Sequence, residues 1–169
     1  MVQKGRNDDE ILDLVEYALA NQLDISFIEE MPLGSITSHR RELTLCTSDE
    51  VRAIIERRWP LTPSLARSGG PSRYYQIGDE PSRIGFISPH SNNFCGDCNR
   101  VRVTAEGKLV LCLGHEGALD LRELLRSHPG DRERLSAALV AALNLKPERH
   151  HFDAQEQVQV LRFMSMTGG

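Results

Sequence analysis

The chain has 169 residues, of which 40% are hydrophobic and 26% are charged, a composition typical of a globular protein that buries a core. No apolar run approaches the roughly 20 residues that a membrane-spanning helix needs. The first residues also lack the apolar core of a signal peptide, so we expect neither a membrane partner nor a secreted protein. The net charge of −4 gives no general attraction to nucleic acid, and no nucleic-acid partner is expected.

The first third of the chain predicts helices and a strand in alternation. An apolar stripe over residues 11–19 indicates a helix capped by Asn7. The stretch 23–31, LDISFIEEM, predicts a strand that is buried on both faces, since Ile28 breaks strict alternation. A second helix then begins with Ser48 as its cap. This order of elements is typical of a unit of a parallel α/β sheet.

The rest of the chain is predicted to form a second module. Residues 60–71, PLTPSLARSGGP, are rich in Pro, Gly and Ser, so we expect no regular element there and place the internal boundary in this stretch. Two short β runs follow, SRYYQI and SRIGFISP. A hairpin that turns at Glu106 and Gly107 comes next, and after it two helices that begin near Asp120 and Asp131.

Three of the four cysteines lie close together, in the spacing C-x2-C-x13-C formed by Cys95, Cys98 and Cys112. Such a cluster is unlike a disulfide framework, so we expect a reducing, cytoplasmic compartment. The fourth, Cys46, lies in an apolar-alternating context and is predicted to be a buried thiol.

Two kinds of metal site are compatible with the three cysteines. With His115, they complete the pattern C-x2-C-x13-C-x2-H of a zinc ribbon, in which four ligands close the site. Alternatively, three thiolates could hold a [4Fe–4S] cluster and leave one iron without a protein ligand. That iron could bind a substrate nitrogen or oxygen as a Lewis acid. The spacing alone leaves both interpretations open.

Two arginines follow the second cysteine of the pair. In an extended chain, Arg100 and Arg102 point to one face, while Val101 and Val103 point to the other. Adjacent guanidinium groups repel one another unless an anion lies between them, and the planar guanidinium suits phosphate. The pattern therefore favours an anion beside the cysteines; an anion-binding loop without metal and a pair of surface arginines remain as alternatives.

Longer stretches of the sequence resemble a known family. The segment FCGDCNRVRVTAEGKLVLCL, together with LDLRELLRS and the terminal GG, is similar to the C-terminal region of the molybdenum-cofactor GTP 3',8-cyclases, which are radical S-adenosylmethionine enzymes. KGRNDDEILDLVEYA and FIEEMPLG resemble the latter part of that family's incomplete TIM-type barrel. The resemblance implies an α/β fold with barrel units in residues 1–60, followed by a small α+β domain in 61–169 that binds a cluster and the substrate.

The resemblance also implies a reaction. Members of the family are lyases that convert GTP to (8S)-3',8-cyclo-7,8-dihydroguanosine 5'-triphosphate. One [4Fe–4S] cluster reduces S-adenosylmethionine to a radical that abstracts the ribose 3' hydrogen, and a second binds the base of GTP. By resemblance, Cys95, Cys98 and Cys112 would ligate the second cluster. The remaining implied residues are Arg100, Arg102 and Lys4 at GTP, and Gly168 and Gly169 in a tail that reaches the catalytic site.

The sequence departs from the family pattern in one respect. It contains no C-x3-C-x2-C motif, which in the family holds the first cluster at the S-adenosylmethionine site. We therefore expect a C-terminal part of the enzyme that is inactive by itself. Its partners would be GTP and either the N-terminal half of the barrel or a second copy, bound through an exposed sheet edge.

Overall fold

A computed structural model describes residues 1–31, 33–34, 39–92 and 98–147 of the chain. These residues group into two compact units, one with residues 1–31 and 39–92 and the other with residues 33–34 and 98–147. Within the described residues, no helix is long and apolar enough to cross a membrane.

The helices and strands of the two units follow one another along the chain. The first unit contains α1 (Ile11–Ala20), β1 (Ile25–Ile28), α2 (Arg41–Thr44), α3 (Ser48–Glu56), β2 (Leu61–Pro63), β3 (Arg73–Ile77) and β4 (Arg83–Ile87). The second unit contains β5 (Arg102–Val103), β6 (Lys108–Val110), β7 (Ala118–Asp120), α4 (Leu121–Ser127) and α5 (Arg132–Asn144).

The first unit is built on a four-stranded sheet with the order β1-β4-β3-β2. The predicted strand β1 pairs in parallel with β4, whereas β4 with β3 and β3 with β2 are antiparallel. The α/β class is confirmed, while the barrel portion expected in residues 1–60 is not confirmed by this mixed sheet. The assignment of 1–60 and 61–169 to separate functional domains stays a prediction.

Strand β2 corrects one expectation. It lies inside the stretch 60–71, where the Pro and Gly residues predicted no element, and Thr62 pairs with Gln76 of β3. As β2 is an edge strand, its Pro63 can lack an N–H donor without breaking the interior of the sheet.

One face of this sheet carries the core of the first unit. Alternate residues such as Phe27, Ile84 and Phe86 point to this face, where the apolar sides of α1 and α3 cover them. Ile11 and Ile55 of those helices are fully buried. Cys46 belongs to the same cluster, as predicted, and its burial raises the pKa of the thiol.

Two helix caps differ from the prediction. Thr47, rather than Ser48, caps α3: its hydroxyl accepts a hydrogen bond from the backbone of Glu50, whose carboxylate accepts from the Thr47 N–H in return. Asn7 does not cap α1, which begins after Glu10. The Asn7 side chain accepts a hydrogen bond from the backbone of Gln3 instead and closes the N-terminal loop.

The second unit contains an antiparallel sheet with the order β5-β6-β7. The predicted hairpin turns at Gly107, whose φ of +78° favours glycine. The carbonyl of Gly107 accepts hydrogen bonds from the first two N–H groups of α4, at 3.0 and 3.1 Å. Asp120 and Asp131 cap α4 and α5 through their carboxylates, as predicted.

The core of this unit joins the hairpin to α5. Leu109 and Leu111 on the hairpin are buried together with Ala142 of α5, and Leu139 packs against them. Contact of an aliphatic strand face with a small residue on the helix allows the two backbones to approach closely.

The face of the four-stranded sheet opposite this core is polar around Gly85. A Cβ atom at Gly85 would overlap the hydroxyl oxygens of Ser26 and Ser72 and would lie 3.0 Å from the Tyr74 ring. The two serine hydroxyls are hydrogen-bonded to each other at 3.1 Å. Glycine is therefore required at this position because a Cβ atom would overlap neighbouring side chains, not because of its backbone φ angle.

Replacing Gly85 by Ala tests this constraint. The added methyl group should lower the free energy of unfolding by about 1–3 kcal/mol, because two neighbouring side chains must leave their rotamers. Urea unfolding of the full chain measures the change. In a background with Ser26→Ala and Ser72→Ala, the same substitution should cost much less. An equal cost in both backgrounds would rule out the hydroxyl clash as the cause.

Candidate metal centre and anion site

The hairpin of β5 and β6 with its flanking residues, 98–112, is called the cysteine hairpin, and it brings two of the predicted ligands to one end of the second sheet. Arg102 of β5 pairs with Val110 of β6. Arg100 and Cys112 therefore lie two residues beyond this pair, outside β5 and β6 but toward the same end of the hairpin. Cys98 lies just before Arg100 in the same chain segment. The third predicted ligand, Cys95, and the tail residues Gly168 and Gly169 lie outside the described residues.

Exposure alternates along the strand that follows the second cysteine. Cys98, Arg100 and Arg102 are half-buried, whereas Val101 and Val103 have 39% and 58% of their surface exposed. Such alternation is typical of an extended chain, in which Arg100, Arg102 and Cys98 lie on the same side. The valines are exposed although Val103 lies opposite the buried Leu109, and therefore on the apolar face of the hairpin.

Positive charge on this side is not balanced within the described part of the chain. No carboxylate of those residues forms a salt bridge with Arg100 or Arg102. A third cation, Lys146, donates a hydrogen bond from its ammonium group to the backbone carbonyl of Cys98. Sequence reasoning missed Lys146, because a lysine after a helix carries no motif that connects it to a distant cysteine.

The sulfur atoms of the described cysteines are the type of ligand that binds an iron–sulfur cluster. Cys98 and Cys112 are half-buried thiols, and thiolates are the ligands that hold the irons of such clusters. His115, the fourth ligand of the zinc alternative, is exposed, and its Nδ1 accepts a hydrogen bond from the Gly117 N–H at 3.0 Å. Among the described residues, to which Cys95 does not belong, no three His, Cys, Asp or Glu side chains are arranged to hold a metal ion.

Lys4 lies in the first unit, where a carboxylate neutralises it. Its Nζ is 2.6 Å from Oε1 of Glu50, and both side chains are 44% exposed. The Lys4 N–H donates to the carbonyl of Thr44. The predicted role of Lys4 at a triphosphate would therefore require an exchange of the Glu50 carboxylate for a phosphate.

A buried carboxylate at the end of β1 was not anticipated as a structural centre. Glu29 is 2% exposed and accepts hydrogen bonds from the N–H groups of Ser48, His90 and Ser91 at 2.7, 2.9 and 2.9 Å, and from the Ser91 hydroxyl. Burial raises the pKa of Glu29, but these hydrogen bonds outweigh it, so the pKa lies below its ordinary value.

The next residue, Glu30, forms a second polar cluster. Its carboxylate accepts a hydrogen bond from the Gln3 amide at 2.9 Å and contacts Nε2 of His39 at 2.5 Å, with Thr44 as a further donor. Burial raises the pKa of Glu30, and the hydrogen bonds from His39 and Gln3 lower it below its ordinary value. Two acidic residues directly after an apolar strand were the sequence signal for both clusters, because polar groups of α/β folds gather at the carboxyl ends of parallel strands.

Comparison with known proteins adds independent information. The family model described as Molybdenum Cofactor Synthesis C matches residues 23–152. A protein named GTP 3',8-cyclase 2 from Pseudomonas aeruginosa is 99% identical over 169 residues. Proteins named GTP 3',8-cyclase from Ectopseudomonas mendocina and Marinobacter nauticus are 70% and 59% identical. Each match covers 100% of this chain and 51% of the relative, so the chain spans about half the length of these curated relatives.

Substitution of Glu29 by Gln should destabilise the first unit. The amide keeps the shape but turns one acceptor into a donor that faces N–H groups, at a cost of about 2–3 kcal/mol. Urea unfolding of the full chain at neutral pH measures this difference. Glu16→Gln is the matched control, because the ion pair of Glu16 with Arg58, at 3.0 Å, is exposed, and its loss should change stability by less than about 1 kcal/mol.

The same variant has a distinct pH dependence. The pKa of Glu29 is lower in the folded than in the unfolded protein. The ionised carboxylate therefore stabilises the fold at pH values above the pKa that Glu29 has in the unfolded chain, and this contribution is lost as the pH falls through its pKa in the folded chain. Unfolding measured between about pH 6 and pH 3 should show a steeper loss for the wild type than for Glu29→Gln. Parallel pH profiles would exclude Glu29 as a source of the acid sensitivity.

Proposed function

The chain belongs to the Molybdenum Cofactor Synthesis C family, and on this premise we propose that it forms the part of a GTP 3',8-cyclase that holds an iron–sulfur cluster and GTP. The relatives named above support molybdenum cofactor biosynthesis as its process. One observation carries the finer proposal: half-buried thiols occur on one side of the cysteine hairpin together with half-buried arginines that have no carboxylate partner among the described residues.

Cys95, Cys98 and Cys112 would hold the cluster as thiolates. A [4Fe–4S] cluster with three protein ligands supplies an iron that accepts a nitrogen or oxygen of the guanine base as a Lewis acid. The half-buried positions of Cys98 and Cys112 would limit the access of water to that ligand set.

Arg100 and Arg102 would bind the anionic part of the nucleotide. A guanidinium group donates two parallel hydrogen bonds to a phosphate, and partial burial strengthens the attraction because screening by water is reduced. Neither arginine has to release a carboxylate of the described residues before it binds a phosphate. Binding would also relieve the repulsion between the two guanidinium groups.

Three further residues have roles that the proposal includes. Lys4 would contact the triphosphate after its ammonium group leaves Glu50, a partner whose exposed position makes the exchange inexpensive. Gly168 and Gly169 would let the backbone of the tail approach the substrate closely, since neither carries a side chain.

The complete cyclisation would require a second component. The sequence contains no C-x3-C-x2-C motif, so S-adenosylmethionine and a second [4Fe–4S] cluster would bind to another polypeptide segment. We propose that the chain alone binds GTP without cyclising it. Within the described sheet, β1 and β2 are edge strands, and the N-terminal half of the enzyme or a second copy could pair with β1.

Anaerobic reconstitution with iron and sulfide tests the cluster. We expect about four irons and four sulfides per chain and a brown chromophore, whereas Cys98→Ser and Cys112→Ser should lose most of both. His115→Ala should leave the iron content unchanged. Stoichiometric zinc without sulfide, lost in the His115→Ala variant, would instead support a zinc-ribbon interaction module.

Calorimetric titration of the reconstituted chain with GTP tests the arginines. Arg100→Ala and Arg102→Ala should each weaken binding about tenfold, since each removes a charge-assisted contact with phosphate, and iron content should not change. Arg126→Ala is the control, because Arg126 is an exposed arginine on α4 of the same unit. Equal affinities for all three variants and the wild type would remove Arg100 and Arg102 from the site.

A further inference from the structure

Lys146 contacts the backbone of the cysteine segment. The half-buried ammonium group donates a hydrogen bond to the carbonyl oxygen of Cys98, 48 residues away in the chain. No carboxylate of the described residues forms a salt bridge with Lys146. The interaction is therefore between a full charge and a single peptide dipole, which is a strong type of hydrogen bond.

The backbone of Lys146 is fixed by the end of α5. Its N–H donates to the carbonyl of Leu143 at 3.1 Å, so residue 146 continues from the last helical turn. One turn earlier, Ala142 is buried against Leu109 and Leu111 of the hairpin. Since Leu111 directly precedes Cys112, α5 packs on the segment that carries one thiol while Lys146 contacts the residue that carries another.

We infer that Lys146 is a positioning residue for the metal-binding cysteines, a role that rests on the proposed function. Helix α5 packs on the strand that leads to Cys112, and the Lys146 ammonium group holds the backbone of Cys98. Together these contacts keep the two cysteine-bearing segments in register. An outer contact of this kind typically changes metal affinity by about 10- to 100-fold when it is removed.

The charge of Lys146 has a second consequence. A cluster gains one negative charge on reduction, and a nearby cation stabilises the reduced form more than the oxidised form. Lys146 therefore raises the reduction potential of a cluster held by Cys98. A residue that only stabilised the fold would not affect the potential in this way.

The test compares four full-length chains after anaerobic reconstitution: wild type, Lys146→Met, Lys146→Arg and Lys108→Met. Lys108 is the matched control, because this lysine lies on β6, near the turn of the same hairpin, beside Glu106 at 3.8 Å. Lys146→Met should lose iron to a chelator about tenfold faster than wild type and should have a more negative midpoint potential. Lys146→Arg should recover the potential, and Lys108→Met should match wild type.

A measurement without metal separates this inference from the proposed function. In the metal-free chain, iodoacetamide should alkylate Cys98 roughly tenfold faster in Lys146→Met than in wild type, because the hydrogen bond that orders its backbone is lost. Circular dichroism checks that the variant is folded, and Lys146→Gln replaces it if it is not. If the folded variant has the same rate of iron loss, midpoint potential and alkylation rate as the wild type, the inference is overturned. If the wild type binds no cluster but the two chains still differ in alkylation rate, the proposed function is overturned and the positioning contact remains supported.

Discussion

The buried carboxylate of Glu29 is the interaction on which the arrangement of the first unit depends. It follows β1 directly and accepts hydrogen bonds from the start of α3 at Ser48 and from the turn after β4 at His90 and Ser91. Three elements that are distant in sequence therefore share one acceptor group. An ion at this depth is tolerated because its oxygens are satisfied by four donors and because the N-terminus of α3 attracts negative charge.

Carboxylates neutralise several cations of the first unit, whereas two half-buried arginines of the second unit form no salt bridge within the described residues. In the first unit, Lys4, Arg58 and Arg83 pair with the carboxylates of Glu50, Glu16 and Asp24. Hydrogen bonds from the Arg83 guanidinium hold the pKa of Asp24 below its usual range. On the cysteine hairpin, Arg100 and Arg102 have no such partner among the described residues. Because unpaired cations are costly when they are partly buried, their retention favours a site for an external anion.

Local sequence signals predicted the elements that local interactions stabilise. The hairpin at Gly107 and the caps at Asp120 and Asp131 depend on residues close in sequence, and all were predicted. Strand β2 was missed because its pairing with β3 outweighs the local effect of Pro63. The mixed sheet could not be predicted either, since the parallel pairing of β1 with β4 joins segments that are about 60 residues apart.

The candidate site likewise combines local features, which the sequence shows, with a contact that depends on tertiary packing. The spacing of the cysteines and the two arginines was visible in the sequence, whereas the contact of Lys146 with Cys98 depends on how α5 packs against the hairpin. Val103 lies opposite Leu109, so the valines belong to the face of the hairpin that packs on α5. Their exposure of 39% and 58% accompanies their place at the edge strand β5. By the same alternation, Arg100, Arg102 and Cys112 fall on the opposite face. The alternation that separates the two faces can be seen in the sequence, whereas the approach of Lys146 to Cys98 depends on tertiary packing, because α5 lies about 30 residues farther along the chain.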